Sequence, residues 1–257
     1  MSNEHILIHD FDFNLIGDFF KDLDRQGPGS PEVTRQALQF VGNLSENARI
    51  ADIGCGTGGQ TMTLAGLTPG HITAIDLMPA FVETFRRKVV EKSLQDRITV
   101  LEGSMMELPF RKEEFDLIWS EGAISHIGFE RGMREFHQYL KPGGFIAASE
   151  ATWFTDGRPD EIATFWEENY PEIDTVPNKV AQMQAAGYVP VAHFILPEST
   201  WWNYFNPQRA LYDDFLQRHN HSAAAKGLIS QFEHETALYK KYSVYYGYAF
   251  YIGQKIG

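Results

Sequence analysis

The chain is short of cysteine, of long apolar runs and of positive charge, and each shortage removes a class of function. One cysteine, Cys55, in 257 residues rules out an internal disulfide and the small folds that depend on them. No apolar run approaches the roughly 20 residues that a membrane-spanning helix needs. The first residues, Met1 to His5, carry no basic cluster and soon meet Asp10 and Asp12, unlike a secretory signal. The cytoplasm is the expected compartment. Lys and Arg number 22 against 34 Asp and Glu, a formal net charge of −12. A polyanion such as RNA or DNA would be repelled at long range. The densest basic cluster, Arg86-Arg87-Lys88, has Glu83 and Glu91 close by and reads as a solvated, internally paired helix face. No metal is expected: nine histidines are present, His219 and His221 among them, but no partner ligands can be assigned.

What is present is a glycine cluster that organises the rest. Arg49 to Ile53 is short and apolar and runs into Gly54-Cys55-Gly56-Thr57-Gly58-Gly59, and from Thr57 through Leu64 the chain reads as the first turns of a helix. Glycines there let the backbone bend and approach a ligand, and the free N–H groups of the helix start face it. Cys55 reads as a small residue filling the turn. Gly54, Gly56 and Gly59 satisfy the dinucleotide pattern G-x-G-x-x-G, with Asp76 at about the expected 20 residues further on. With Asp52 the same stretch also satisfies D-x-G-x-G-x-G. The loop alone does not separate the two.

The remaining pattern alternates strand and helix, which predicts a doubly wound, mostly parallel α/β sheet of seven strands. Strands are expected at 49–53, 71–77, 98–104, 115–121, 145–150, 188–198 and 243–252, the last antiparallel. Phe11 to Asp24 has an apolar stripe of Leu15, Ile16, Phe19, Phe20 and Leu23. With the turn Arg25-Gln26-Gly27-Pro28-Gly29-Ser30 it reads either as packed scaffold or as a lid over the site, residues 1–30. Ser30 is the natural cap of a second helix opened by Pro31, with Val33, Ala37, Phe40 and Val41 inward. Residues 79–95 form a helix facing the core with Phe81, Val82, Phe85 and Val89. A helix carrying Met133, Phe136 and Leu140 is broken by Lys141-Pro142-Gly143-Gly144. Helices are expected at 160–170, 176–186, 207–219 and 223–241, with no strand between 153 and 187. No linker divides the chain, so one domain is expected. Its core would be 31–152, with 153–187 and 199–241 as helical insertions on the acceptor side.

Five stretches in order resemble the class I S-adenosylmethionine (SAM)-dependent methyltransferases. These are the glycine loop, Ala74-Ile75-Asp76-Leu77, Gly103-Ser104-Met105, Phe115 to Gly122, and Leu140 to Phe145. The resemblance is tight from Ile50 to Glu150 and extends to small-molecule enzymes, including quinone- and sterol-type C-methyltransferases. It implies SAM as cofactor, with S-adenosylhomocysteine (SAH) as product. Asp76 would take both ribose hydroxyls, as two acceptor oxygens suit a vicinal diol. Ser104 and Met105 would flank the adenine, although the family's usual residue after that glycine is Asp. The full contact set expected is Gln26, Gly27, Asp52, Gly54, Cys55, Gly56, Gly58, Gln60, Asp76, Leu77, Ser104, Met105, Glu121 and Gly122.

The sulfonium is already a good leaving group, so placing an acceptor in line supplies much of the rate. Where a proton must also leave, the candidate groups stand at the carboxyl ends of the fourth and fifth strands. These are Glu121, Ser125, His126, Glu150 and Trp153. His126 titrates nearest neutrality and is the expected base, or else a helix-start histidine facing water. Glu121 is expected to hold the methionine end through its backbone, and Glu150 and Trp153 to border a low-molecular-weight acceptor. Trp201-Trp202 reads as core packing or, if it faces the cleft, as a flat acceptor surface. An RNA or protein methyltransferase and a non-catalytic SAM-binding module are the competing functions. The oligomeric state is left open, a homodimer included.

Overall fold

The computed structural model describes residues 12–256. The expectations for residues 1–11, including the first third of the lid, lie outside the described residues. Eight strands form one sheet: β1 (Arg49–Ile53), β2 (His71–Asp76), β3 (Ile98–Glu102), β4 (Phe115–Glu121), β5 (Leu140–Trp153), β6 (Asp174–Thr175), β7 (Tyr188–Ile195) and β8 (Tyr246–Lys255). The order is β3-β2-β1-β4-β5-β8-β7, with β6 attached to the end of β5. Strands β1 to β6 pair in parallel, while β8 runs antiparallel between β5 and β7. The doubly wound sheet expected from the alternation is therefore present, with the reversed strand set inside the edge.

The nine α-helices of the described residues are α1 (Phe13–Phe20), α2 (Pro31–Leu38), α3 (Gly59–Leu67), α4 (Pro79–Glu91), α5 (Phe129–His137), α6 (Asp160–Asn169), α7 (Val176–Ala185), α8 (Ser199–Arg218) and α9 (Ala223–Tyr242). None is long and apolar enough to cross a membrane. Alternation along the strands feeds two cores. Ile50, Leu117, Trp119 and Phe250 pack one face against α2, α3 and α4. Ala51, Ile53, Ile118 and Ala148 pack the other against α5 and α7. In α4 the inward residues are Phe81, Val82, Phe85 and Val89, as their spacing predicts. Ser30 caps α2 by accepting from Val33 N at 3.3 Å, and Pro31 occupies the first turn, where its missing N–H is harmless.

Four local expectations are corrected. Leu140 does not end a helix: α5 stops at His137, and Leu140 opens β5 opposite Phe115. Its helical spacing from Phe136 is outweighed by complete burial in the sheet. Pro207 does not start α8 but lies inside it. The upstream turns hold because Trp201 and Phe205 are buried at 1% and 4% exposure, against a proline cost of about 3 kcal/mol. The segment 153–187 does contain a strand, β6, too short to show any periodicity. Phe40 lies beyond α2 and is exposed.

Candidate active site

The glycine loop is built by steric need at two positions. Gly58 has φ +90°, and a Cβ there would meet Phe85 of α4 at 2.2 Å. Gly54 has φ +78°, and its Cβ would meet Ala123, just past β4, at 2.3 Å. Both conformations favour glycine, and both contacts hold the loop against neighbours that a side chain would push away. The loop is then fixed by hydrogen bonds. Gly54 N and Cys55 N donate to Ile75 O at 2.9 and 3.1 Å, and Gly56 N donates to Asp76 Oδ2 at 2.8 Å. Asp76 Oδ1 accepts from Met78 N at 2.9 Å, so each oxygen has one partner and a lone pair to spare. Burial pushes the Asp76 carboxyl up, and those two backbone donors pull it down. Cys55 is fully buried; burial holds its thiol well above the usual value, so it is a packing residue.

Asp52 faces inward beneath the loop with no exposed surface. It accepts from Thr61 Oγ1 at 2.5 Å and from Gln60 Nε2 at 3.5 Å. Burial raises its carboxyl to about 7, against the Thr61 bond, and the nearby Glu121 charge raises it further. Asp52 and Gln60 thus tie the start of α3 to β1 from within.

The segment after α1 lies directly over the loop. Gln26 Oε1 accepts from Thr57 N at 3.0 Å, and Gln26 Nε2 donates to Thr57 Oγ1 at 3.1 Å. Arg25 pairs with Glu121 and donates to Thr34 Oγ1 at 3.0 Å. Glu121 also accepts from Thr34 Oγ1 at 2.9 Å and from Trp119 Nε1 at 3.1 Å. Its side chain is therefore committed to joining β4, α2 and the strap, while Gly122, at φ +68°, carries the backbone onward. Gly27 is half-buried in the same strap. Arg25 and Thr34 were not singled out in the sequence.

In the loop after β3, Met105 Cε comes to 3.4 Å from the Cβ position of Gly54, and Ser104 Oγ accepts from Met106 N at 3.1 Å. Leu77 and Met106 leave apolar side chains 53% and 60% exposed beside them. His126 stands in a 3-10 turn, Ile124–Ile127, and keeps an exposed face. The protein around it lowers its imidazole pKa, and Asp76 acts in the opposite sense. Trp153 is 4% exposed, edge-on to Tyr246 and covered by the Arg158 guanidinium at 4.2 Å. Trp201 stacks on Tyr239 at 4.3 Å. Both tryptophans are core of the helical lobe. Glu150, in contrast, lies buried past the end of β4 with one oxygen unpaired. Among the described residues no cluster of three or more His, Cys, Asp or Glu is arranged to hold a metal.

The β3-β2-β1-β4-β5-β8-β7 order, a glycine cradle after β1 and a carboxylate at the end of β2 define the class I methyltransferase fold. Residues 50–144 match the family model described as methyltransferase domain. Over these residues the chain is similar to the class I SAM-dependent methyltransferases. The chain is 28% identical over 162 residues to the sterol 24-C-methyltransferase of Clavispora lusitaniae, covering 58% of this chain and 43% of that protein. It is 31% identical over 123 residues to the sarcosine/dimethylglycine N-methyltransferase of Aphanothece halophytica, covering 48% and 44%. The chain thus spans less than half the length of these curated relatives. In fold it is similar to a SAM-dependent methyltransferase from Thiobacillus denitrificans in complex with SAH. The TM-score there is 0.80 at 21% identity, over 94% of this chain and 96% of that one.

Proposed function

We propose that the protein transfers the methyl group of SAM to a small molecule held between the ends of β4 and β5 and the helical segments 153–187 and 199–241. The observation that carries this is the glycine cradle closed onto Asp76, whose carboxylate keeps one lone pair per oxygen for a vicinal diol. The cradle and the uncovered Leu77 and Met106 fit an adenosine, the apolar side chains taking the base. Bound SAM supplies an activated methyl on a sulfonium. The chain's own residues orient it: Gly54 to Gly58 by close backbone approach, Asp76 at the ribose, Ser104 and Met105 at the base, Gly122 at the methionine end. Glu121 acts indirectly, by fixing β4 to Arg25 and Thr34. Gln26 and Gly27 belong to the strap that closes over the loop.

The relatives' names place the methyl on carbon in one case and nitrogen in the other, both in small molecules. The strongly acidic net charge also supports a small acceptor over a nucleic acid. Calorimetry tests the reading. SAM or SAH should bind while NAD does not, and Asp76→Ala should weaken SAM by about 1–3 kcal/mol, the usual cost of stranding polar partners. Tight NAD binding with no response to SAM would refute it. Labelled SAM incubated with pooled small metabolites should then yield a labelled product.

A further inference from the structure

Glu150 is 1% exposed, yet its Oε2 has no hydrogen-bond partner; Oε1 accepts only the adjacent Ala151 N, at 2.7 Å. A buried carboxylate left half-satisfied is costly, and a ligand cation is one way to offset that cost. Its place matters. Ser149 pairs with Glu121, the last residue of β4, so Glu150 stands one step past that strand, beside Gly122. Tyr248 of β8 comes within 3.7 Å of the Cβ position of Gly122, and burial holds its phenol up, with the charges of Glu150 and Glu235 adding to the effect.

The surroundings select for charge. The nearest cation, Lys179, is fully buried and donates to Glu172 O at 3.0 Å and Tyr170 Oη at 3.3 Å, with its ammonium 4.7 Å from the Phe129 ring. It acts on Glu150 at a distance without forming an ion pair. Arg158, the other cation in this region, donates to Thr155 O and covers Trp153. Lys179 is thus committed to partners within the protein. A buried carboxylate with an unpaired oxygen is instead the element that holds a compact cation.

Resting on the methyltransferase reading, we infer that the acceptor is an amine, which enters as its ammonium ion against Glu150 and gives its proton to Glu150 Oε2. The N–H bond breaks with its electron pair left on nitrogen, and that lone pair forms the new N–CH3 bond. The S–CH3 bond breaks with its pair going to sulfur, leaving neutral SAH and a methylated ammonium. Glu150 then returns its proton to solvent. This assigns the proton to Glu150 rather than to the exposed His126. Burial raises the Glu150 carboxyl to about 7 while Lys179 lowers it, a range in which it can both accept and release a proton near neutrality.

The test uses the whole protein saturated with SAH. Calorimetry compares 2-phenylethylamine and tetramethylammonium with 2-phenylethanol and phenylacetate, in wild type and in Glu150→Gln. The amine and the quaternary ion should bind at least about tenfold more tightly than the neutral and anionic probes. Glu150→Gln should erase that gap and leave SAH affinity unchanged. His126→Ala should keep the gap. Equal binding of alcohol and amine, a gap that survives Glu150→Gln, or no binding by either cation overturns the inference while SAH binding leaves the methyltransferase reading standing. Failure of SAH itself to bind sinks that reading instead. With labelled SAM, labelled products from an amine fraction support the inference, and products from neutral acceptors alone refute it.

Discussion

The glycine-loop half and the helical lobe treat their buried polar groups in opposite ways. Around the loop, Asp52, Thr57, Thr61 and Glu121 are all buried, and each is hydrogen-bonded inside the protein. Among the described residues eight buried side-chain atoms have no partner, and all eight fall between His137 and Tyr246. They include Glu150 Oε2, Trp201 Nε1 and Tyr246 Oη. Native interiors satisfy nearly all such groups, so a concentration of exceptions on one side has meaning. A shared cofactor is met by a site finished in advance. Beyond β4, Glu150 Oε2, Trp166 Nε1, Trp201 Nε1 and Tyr246 Oη keep hydrogen-bonding capacity that the protein itself does not use.

That contrast can be broken most forcefully at Gly58. Gly58→Ala combines a left-handed backbone with a clash against Phe85, and should cost roughly 4–6 kcal/mol with loss of SAM binding. Denaturant titration measures it, and a near-wild-type midpoint would show the loop to be far more plastic than its contacts imply. Next comes Glu121→Ala, which strands the Arg25 guanidinium in a mostly buried site and should cost about 3–5 kcal/mol. Thr34→Val should cost less, since Arg25 and Glu121 keep each other.

A pH series sharpens the lobe's side. Glu150 titrates at about 7 in the folded protein against an ordinary 4.5. Between those values the native state holds a proton that the unfolded chain has released, so stability falls as pH rises. Above about 7 the full penalty remains, and below 4.5 it is absent. Glu150→Gln should therefore flatten the fall between pH 4 and 8 by up to about 3 kcal/mol, read from melts at each pH. Identical slopes in the two proteins would mean that Glu150 is solvated in solution. The smallest effect is at the strap. Ser30→Ala should cost about 1 kcal/mol through the lost cap. Hydrogen exchange over residues 12–30 should slow when SAM binds if the strap is a lid, and remain equal if it is scaffold.

What the sequence disclosed follows the same division. Local features were legible: the glycine loop, Asp76 at a strand end, and the inward face of α4 all lie within one element or one turn. Groups defined by distant partners were not. Nothing in the chain near Glu121 announces Arg25, 96 residues away, or Thr34, 87 away. Leu140 and Pro207 misled because each suits two local readings, and burial in the assembled sheet and lobe decided between them. Trp153 looked like an acceptor residue from its place after the strand expected at 145–150, but its packing against Tyr246 is settled by a strand almost a hundred residues on.

The insertion of β8 between β5 and β7 also bears on how the protein is made. Strand β7 pairs with β8 and with no other strand, and β8 covers the flank of β5. On the ribosome the chain emerges in order, so β7 and two long helices wait without a sheet to join until β8 has been synthesised. During that interval the edge of β5 presents open backbone groups, a surface to which another chain can pair. Slow translation between α8 and β8 would lengthen that exposure, whereas rapid delivery of β8 would close the sheet in one step. A nascent chain halted just before Tyr246 should accordingly recruit chaperones that release it once β8 is out.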